Sequence, residues 1–339
     1  MVRQEAAIEE WRELYKLATV VGEMEPWKQF WDVDLLSIRE TNSEEPVYCS
    51  ILGSGGNTYG IVFYEGQKGL EGFTLSMKHE EIVVPVEYAM FSQDNLTCFW
   101  GDRRELDPQQ LKIVRDLGYK YRGANKWLYF LSSQGGFFPF LPDKEEVQRL
   151  TNYMRWLTAA LEYKTSHRIH VDYMNGEMYE FIWDEARERG RGGAGKIPLV
   201  GIPMVEIPLT DQALIAELKA VKKTSKSLEV DLVYLIRPIA DENFSRPLNP
   251  RMAIIADHEK GYVYSGNLTK PEMDAGEALV ADLTRWILEH GKPRKIMTRN
   301  RIVNTYISDL CRICGIKTEL RQNLPVIEDV MEQMERSGF

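Results

Sequence analysis

Cysteine is scarce in this chain: Cys49, Cys98, Cys311 and Cys314 are the only four in 339 residues. So few and so scattered, they exclude a disulfide framework and fit a reducing compartment. Long apolar runs are also missing. No stretch approaches the roughly 18 uninterrupted apolar residues of a spanning helix, and the opening MVRQEAAIEEW has no apolar signal core. The sequence therefore predicts a cytoplasmic chain with no membrane role, in which the sequons at Asn95 and Asn267 are chance matches. Positive charge is in deficit, 42 Lys and Arg against 51 Asp and Glu, for a net charge of -9. That balance argues against a protein that coats nucleic acid or anionic membrane over its whole surface. No G-x-S-x-G elbow occurs, so serine hydrolase chemistry has no local support.

What is present is ordinary globular composition, 44% hydrophobic and 27% charged, at a length that suggests two domains. Ile8, Trp11, Leu14, Tyr15 and Ala18 recur at helical steps. Strand-like runs follow at residues 48–53 and 59–66 around the turn cluster SGGNT, then at 84–91, 96–101 and 126–133. Asp107-Pro108 opens a helix ending near Gly118, and Asp143 caps a long one whose stripe is Val147, Leu150, Met154, Leu157 and Leu161. Residues 178–183 suggest another strand. These elements predict an α+β domain with an antiparallel sheet over residues 1–186. The composition then turns charged, glycine-rich and proline-rich, which places a linker at 187–208 and a second domain at 209–339.

The second domain reads as a strand at 229–239, two strands within 251–268 and a helix at 277–289. A strand at 294–299, a helix at 301–314, a strand at 317–322 and a last helix at 326–335 follow. This β-β-β-α-β-α-β-α order resembles the α/β, mixed-sheet ribonuclease H-like fold of retroviral-type integrases and transposases, on residues 251–316 with G-K-P-R-K-I-M-T-R-N and C-G-I-K. Active members of that class hold two divalent metals on carboxylates. The resemblance places the first carboxylate at Asp231 and the third on the last helix, at Glu328, Asp329, Glu332 or Glu335. At the second position, Thr298-Arg299-Asn300 stands where the pattern has Thr-Asp-Asn. A cation in place of a metal ligand opposes metal binding, so the implied module is catalytically degenerate. The whole chain also resembles an uncharacterised bacterial two-module family, on residues 11–18, 26–27 and 59–66; that likeness implies an arrangement and no mechanism.

Other motifs are duller than they look. Gly190 to Lys196 imitates a P-loop, but Ile197 and Pro198 follow where Ser or Thr and a helix are required, so it reads as linker or as an Arg-Gly segment for phosphates. Gly53, Gly55, Gly56 and Gly60 precede a strand and read as a hairpin turn. Cys311-x-x-Cys314 has no second pair, and His167-x-x-His170 has no third ligand, so no metal or cofactor is expected. Basic residues gather at Lys292, Arg294, Lys295, Arg299 and Arg301, which we take as the candidate binding site, and again at Lys219, Lys222, Lys223 and Lys226. Trp27, Trp31, Trp100, Trp127, Trp156 and Trp183 fall in the first domain; if several are exposed, that domain is a recognition surface. The expected function is non-catalytic binding or scaffolding, with an unidentified protein partner and weak nucleic-acid binding. The competing expectation is a metal-dependent nuclease or strand-transfer enzyme using Asp231 and Glu328.

Overall fold

A computed structural model describes residues 3–235 and 237–337, so Ile236, within the strand expected at 229–239, lies outside the described residues. The chain divides into two compact units. One comprises Met1–Met77, Gln93–Gln134 and Pro139–Gly201, the other Lys78–Ser92, Gly135–Phe138 and Ile202–Phe339. The units therefore interleave in sequence: nineteen residues from the first half of the chain, in two segments, belong with the second half.

The first unit is built on β1 (Leu35–Glu40), β2 (Val47–Leu52), β3 (Tyr59–Glu65), β4 (Asn95–Gly101), β5 (Trp127–Ser133), β6 (Glu177–Asp184) and β7 (Arg189–Lys196). They form one sheet in the order β5-β4-β3-β2-β1-β6-β7, antiparallel throughout except for the parallel pair β1–β6. Helices are α1 (Ile8–Glu23), α2 (Gly66–Met77), α3 (His79–Ile82), α4 (Val86–Phe91), α5 (Pro108–Asp116) and α6 (Lys144–Ser166), of which α3 and α4 lie in the second unit. Strand alternation sends Leu36, Ile38, Cys49, Ile51, Ile61 and Phe63 into a core with α1 and α6, and sends Leu35, Tyr48, Val62 and Tyr64 into a smaller one with α2. Capping boxes at Asp107 and Asp143 start α5 and α6 where the sequence places them.

Two expectations are corrected here. The segment at 84–91, read as a strand, is helical from Val86 on, where Tyr88 and Phe91 at i,i+3 spacing both pack their rings against Tyr234, at 5.8 and 5.5 Å between centroids. The glycine-rich run inside the expected linker is strand β7, paired with β6 over its whole length. Its glycines have a packing reason. A Cβ on Gly190 would overlap the ring of Phe181, and one on Gly192 would overlap Tyr179. Aromatic rings of β6 lie across the neighbouring strand and fill the space its side chains would need.

The second unit holds β8 (Ser227–Tyr234), β9 (Arg251–Asp257), β10 (Val263–Thr269), β11 (Lys295–Thr298) and β12 (Lys317–Leu320) in the order β10-β9-β8-β11-β12. The first three are antiparallel, and β11 runs parallel to both β8 and β12. Helices α7 (Gln212–Ala220), α8 (Ala275–His290), α9 (Arg301–Tyr306) and α10 (Ser308–Cys314) cover one face, and α11 (Pro325–Ser337) covers the other. This is the β-β-β-α-β-α-β-α order of the ribonuclease H-like class, with the helix expected at 301–314 divided at buried Ile307.

The packing of β6 on β7 makes a direct prediction. Gly192→Val lowers the unfolding free energy by about 1–3 kcal/mol through overpacking. Gly193→Val, whose Cβ meets nothing within 4 Å, changes it by less than about 0.5 kcal/mol. Urea denaturation of both variants checks the pair; equal effects contradict the account.

Candidate functional site: an arginine-held carboxylate

Every residue of β8 is buried. Alternation turns Leu228, Val230 and Leu232 toward α8, and turns Glu229, Asp231 and Val233 toward α11. Two carboxylates thus enter an apolar layer, and each needs a partner there.

Asp231 finds its partner through sheet register. The parallel ladder sets Lys295 beside Ser227 and Met297 beside Glu229. Two residues further on, the same register brings Arg299 to Asp231. The Arg299 Nε donates to Asp231 Oδ2 at 2.6 Å, and Leu232 N donates to Oδ1 at 2.9 Å. The other arm of the guanidinium reaches Glu87 Oε1 on α4 at 2.8 Å. Glu328 on α11 adds its negative field to the same arginine, while its Oε1 accepts from Leu324 N at 3.2 Å.

Burial pushes the Asp231 carboxyl up to about 6, against the opposing pull of Arg299. For Arg299, burial works against the charge, but Asp231 and Glu87 outweigh it and the guanidinium is held above its usual range. Both oxygens of Asp231 are therefore engaged by protein donors, and the adjacent position carries a fixed cation. The residues do not fit the metal pair that the integrase resemblance implies. Among the described residues, no group of three or more His, Cys, Asp or Glu could hold a metal ion.

Glu229 is the carboxylate that sequence reasoning missed. It is fully buried; Oε1 accepts from His258 Nδ1 at 2.6 Å, and Oε2 accepts from Val326 N and Ile327 N at 3.0 and 3.2 Å. It serves as a distant cap for the first turn of α11. Its only sequence signal is an acid two residues before Asp231 in an otherwise apolar strand.

The basic cluster does not assemble into one face. Lys292, Arg294 and Lys295 stand at the start of β11, Arg299 and Arg301 beyond its end, on the order of 13 Å away at about 3.3 Å per residue. Lys292 is buried and donates its Nζ to Lys219 O at 2.8 Å. Lys295 pairs with Glu319 at 3.1 Å, and Arg299 is spent on Asp231 and Glu87. Arg294 reaches Ser227 Oγ at 3.1 Å yet stays largely exposed. Arg301 is exposed, with its backbone N–H on Val83 O at 2.9 Å. In the second cluster, Lys226 lies over the Tyr264 and Trp286 rings.

The remaining motifs fall where their chemistry is muted. Cys311 and Cys314 lie on the buried face of α10, and burial pushes the Cys311 thiol up to about 12. His167 stacks on Tyr163 at 3.8 Å, and His170 is exposed. Gly53, Gly55 and Gly56 lie in the β2–β3 connection.

Fold and site together define a two-module chain whose second module is ribonuclease H-like, with its central carboxylate held by an arginine. The chain belongs to the family of the domain of unknown function DUF7309, whose model matches residues 11–180. A second model, the domain of unknown function DUF6930, matches residues 214–335. No curated protein matches the chain. Among solved structures, it is similar to the HTLV-2 integrase catalytic core domain in complex with magnesium. The dimeric form is 14% identical at a TM-score of 0.25, covering 35% of this chain and 71% of that one. The trimeric form is 15% identical at 0.25, covering 34% and 70%. A simian T-cell lymphotropic virus intasome in complex with PP2A regulatory subunit B56 gamma is 13% identical at 0.24, covering 35% and 41%. The ribonuclease H-like assignment rests on the strand order and register given above.

Two measurements test the electrostatics. Arg299→Leu strands a buried carboxylate and lowers stability by about 3–5 kcal/mol, and adding Asp231→Asn recovers much of that loss. Additive effects in urea denaturation contradict the pairing. The second concerns pH. An acid whose pKa is higher folded than unfolded binds its proton more tightly when folded, so its contribution declines as pH rises from about 4 to about 6. Across that window wild type therefore loses stability relative to Asp231→Asn. A difference that is flat with pH removes the assignment.

Proposed function

We propose that this protein is a non-catalytic binding or scaffolding protein, and that its ribonuclease H-like module is a folded platform rather than a phosphoryl-transfer site. The observation that carries this reading is the Arg299 guanidinium on Asp231 and Glu87, at 2.6 and 2.8 Å. Two-metal displacement requires carboxylate oxygens free to share divalent ions. Here the same oxygens neutralise a side chain that cannot be deprotonated. Fold class alone does not carry the reaction of other members.

The alternative, a nuclease or strand-transfer enzyme on Asp231 and Glu328, makes an opposite and simple demand. It needs both acids on a shared metal, whereas Asp231 faces Arg299 and Glu328 accepts from the start of its own helix. Among the described residues, no helix is long and apolar enough to cross a membrane.

The test is incubation of the chain with labelled single- and double-stranded DNA and RNA, with and without Mg²⁺ or Mn²⁺, read on a denaturing gel. No metal-dependent cleavage is expected, and neither cation is expected to raise the melting temperature. Cleavage that vanishes in Asp231→Ala overturns the proposal.

A further inference from the structure

The first unit carries a cleft that none of the preceding chemistry uses. Its centre is Trp27, whose ring meets Tyr59 edge-on at 5.0 Å and Trp100 at 5.3 Å between centroids. A cavity of about 610 Å³ opens on one side, lined by Trp27, Phe30, Trp31 and Tyr59 together with Lys28 and Lys126. A second, of about 640 Å³, opens beside it, lined by Trp27, Trp100 and Tyr121 with Lys120, Arg122 and Lys126. The two share Glu25, Trp27, Asn125 and Lys126, so they adjoin at the tryptophan as the two sides of one groove. Each volume lies within the range of small-molecule sites, about 300–1,000 Å³.

The groove is built, not incidental. Gly53, at φ +131°, leaves room for both rings: a Cβ there would come within 2.7 Å of Tyr59 and 2.9 Å of Trp27. Gly22 on α1 does the same for Trp100, at 2.6 Å from its Nε1. Glu25 and Asn125, which line both cavities, adopt positive φ angles of 47° and 54° without being glycine. Such conformations cost free energy and gather at functional sites. Trp31 leaves 66% of its surface in solvent at the rim, an unusual exposure for a large aromatic.

Charge narrows the ligand. In a chain of net charge -9, four cations line the groove against the two carboxylates Glu23 and Glu25. Glu25 is already paired with Lys28 at 2.5 Å. Lys120, Arg122 and Lys126 are all exposed, and no ion pair engages them among the described residues. Sugars stack on aromatic faces but have no use for three free cations, and an apolar peptide side chain has none either. A planar ring attached to an anion satisfies both halves: the base stacks on tryptophan and the phosphate meets Lys and Arg.

We propose that the groove around Trp27 and Trp31 binds a nucleoside phosphate, with the base on the tryptophans and the phosphate on Lys120, Arg122 and Lys126. The inference is independent of the Asp231–Arg299 pair. Titration calorimetry of the full chain with AMP, adenosine, inorganic phosphate and a short oligothymidylate, at low and physiological salt, tests it. AMP binding is expected to exceed that of adenosine or phosphate alone and to weaken with salt. Trp31→Ala and the triple charge reversal Lys120→Glu, Arg122→Glu, Lys126→Glu alter exposed side chains and leave folding intact by circular dichroism. Each is expected to weaken AMP at least about fivefold. Tighter binding of the oligonucleotide on the same residues identifies a single strand as the source of the nucleotide; tighter AMP identifies the free compound. The proposal is overturned if no nucleotide binds wild type, or if binding survives both variants unchanged. Either failure leaves the reading of the second module standing, because both variants spare its residues.

Discussion

A carboxylate in the middle of a buried strand must be neutralised, and in the second module that requirement organises everything around it. Asp231 has no access to water and sits on the central strand of five. Leaving it unpaired is among the most destabilising arrangements a core can hold. The register of β8 with β11 brings one residue within reach, and that residue is an arginine. Because a guanidinium keeps its charge when desolvated and offers donors on separate arms, Arg299 can engage Glu87 at the same time. The helical segment carrying Glu87 is thereby tied to the sheet by an ion pair as well as by the Tyr88 and Phe91 rings on Tyr234.

Glu229 shows the same logic with a different outcome. It enters the same layer from the same strand, yet its partners are a histidine and two backbone N–H groups at the start of α11. Helix starts leave donors unsatisfied, and a buried carboxylate supplies the acceptor. Two acids separated by one residue therefore secure two elements, the arginine-bearing end of β11 and the final helix. Neither arrangement needs a metal to make the layer stable.

Much of this was legible in the sequence. The β-β-β-α-β-α-β-α order of the second module followed from apolar periodicity and turn residues, and Arg299 stood out because it occupies a position where a metal site needs an acid. What escaped was set by contacts distant in sequence. Helix α4 looks like a strand because Val86, Tyr88 and Met90 alternate; only the Tyr234 ring, far along the chain, decides otherwise. The glycines of β7 look like linker because the rings that justify them belong to β6. The basic residues looked like one patch because they are close in sequence, although a strand stands between Lys295 and Arg299. The tryptophans of the first domain gave only a question of exposure, and Trp31 answers it differently from Trp183.

Strand β7 closes one margin of the seven-stranded sheet. A free margin of this kind is a template for joining sheets edge to edge, the route by which β-rich proteins clump. Glycine along it offers few apolar side chains to reward such a union, since the rings of Phe181 and Tyr179 already occupy that side. Arg189, Arg191 and Lys196 add charged side chains along the same margin, the kind of residue that discourages edge-to-edge pairing. A composition that resembles a tether in the sequence forms, in the folded molecule, an edge strand with little to offer a second sheet.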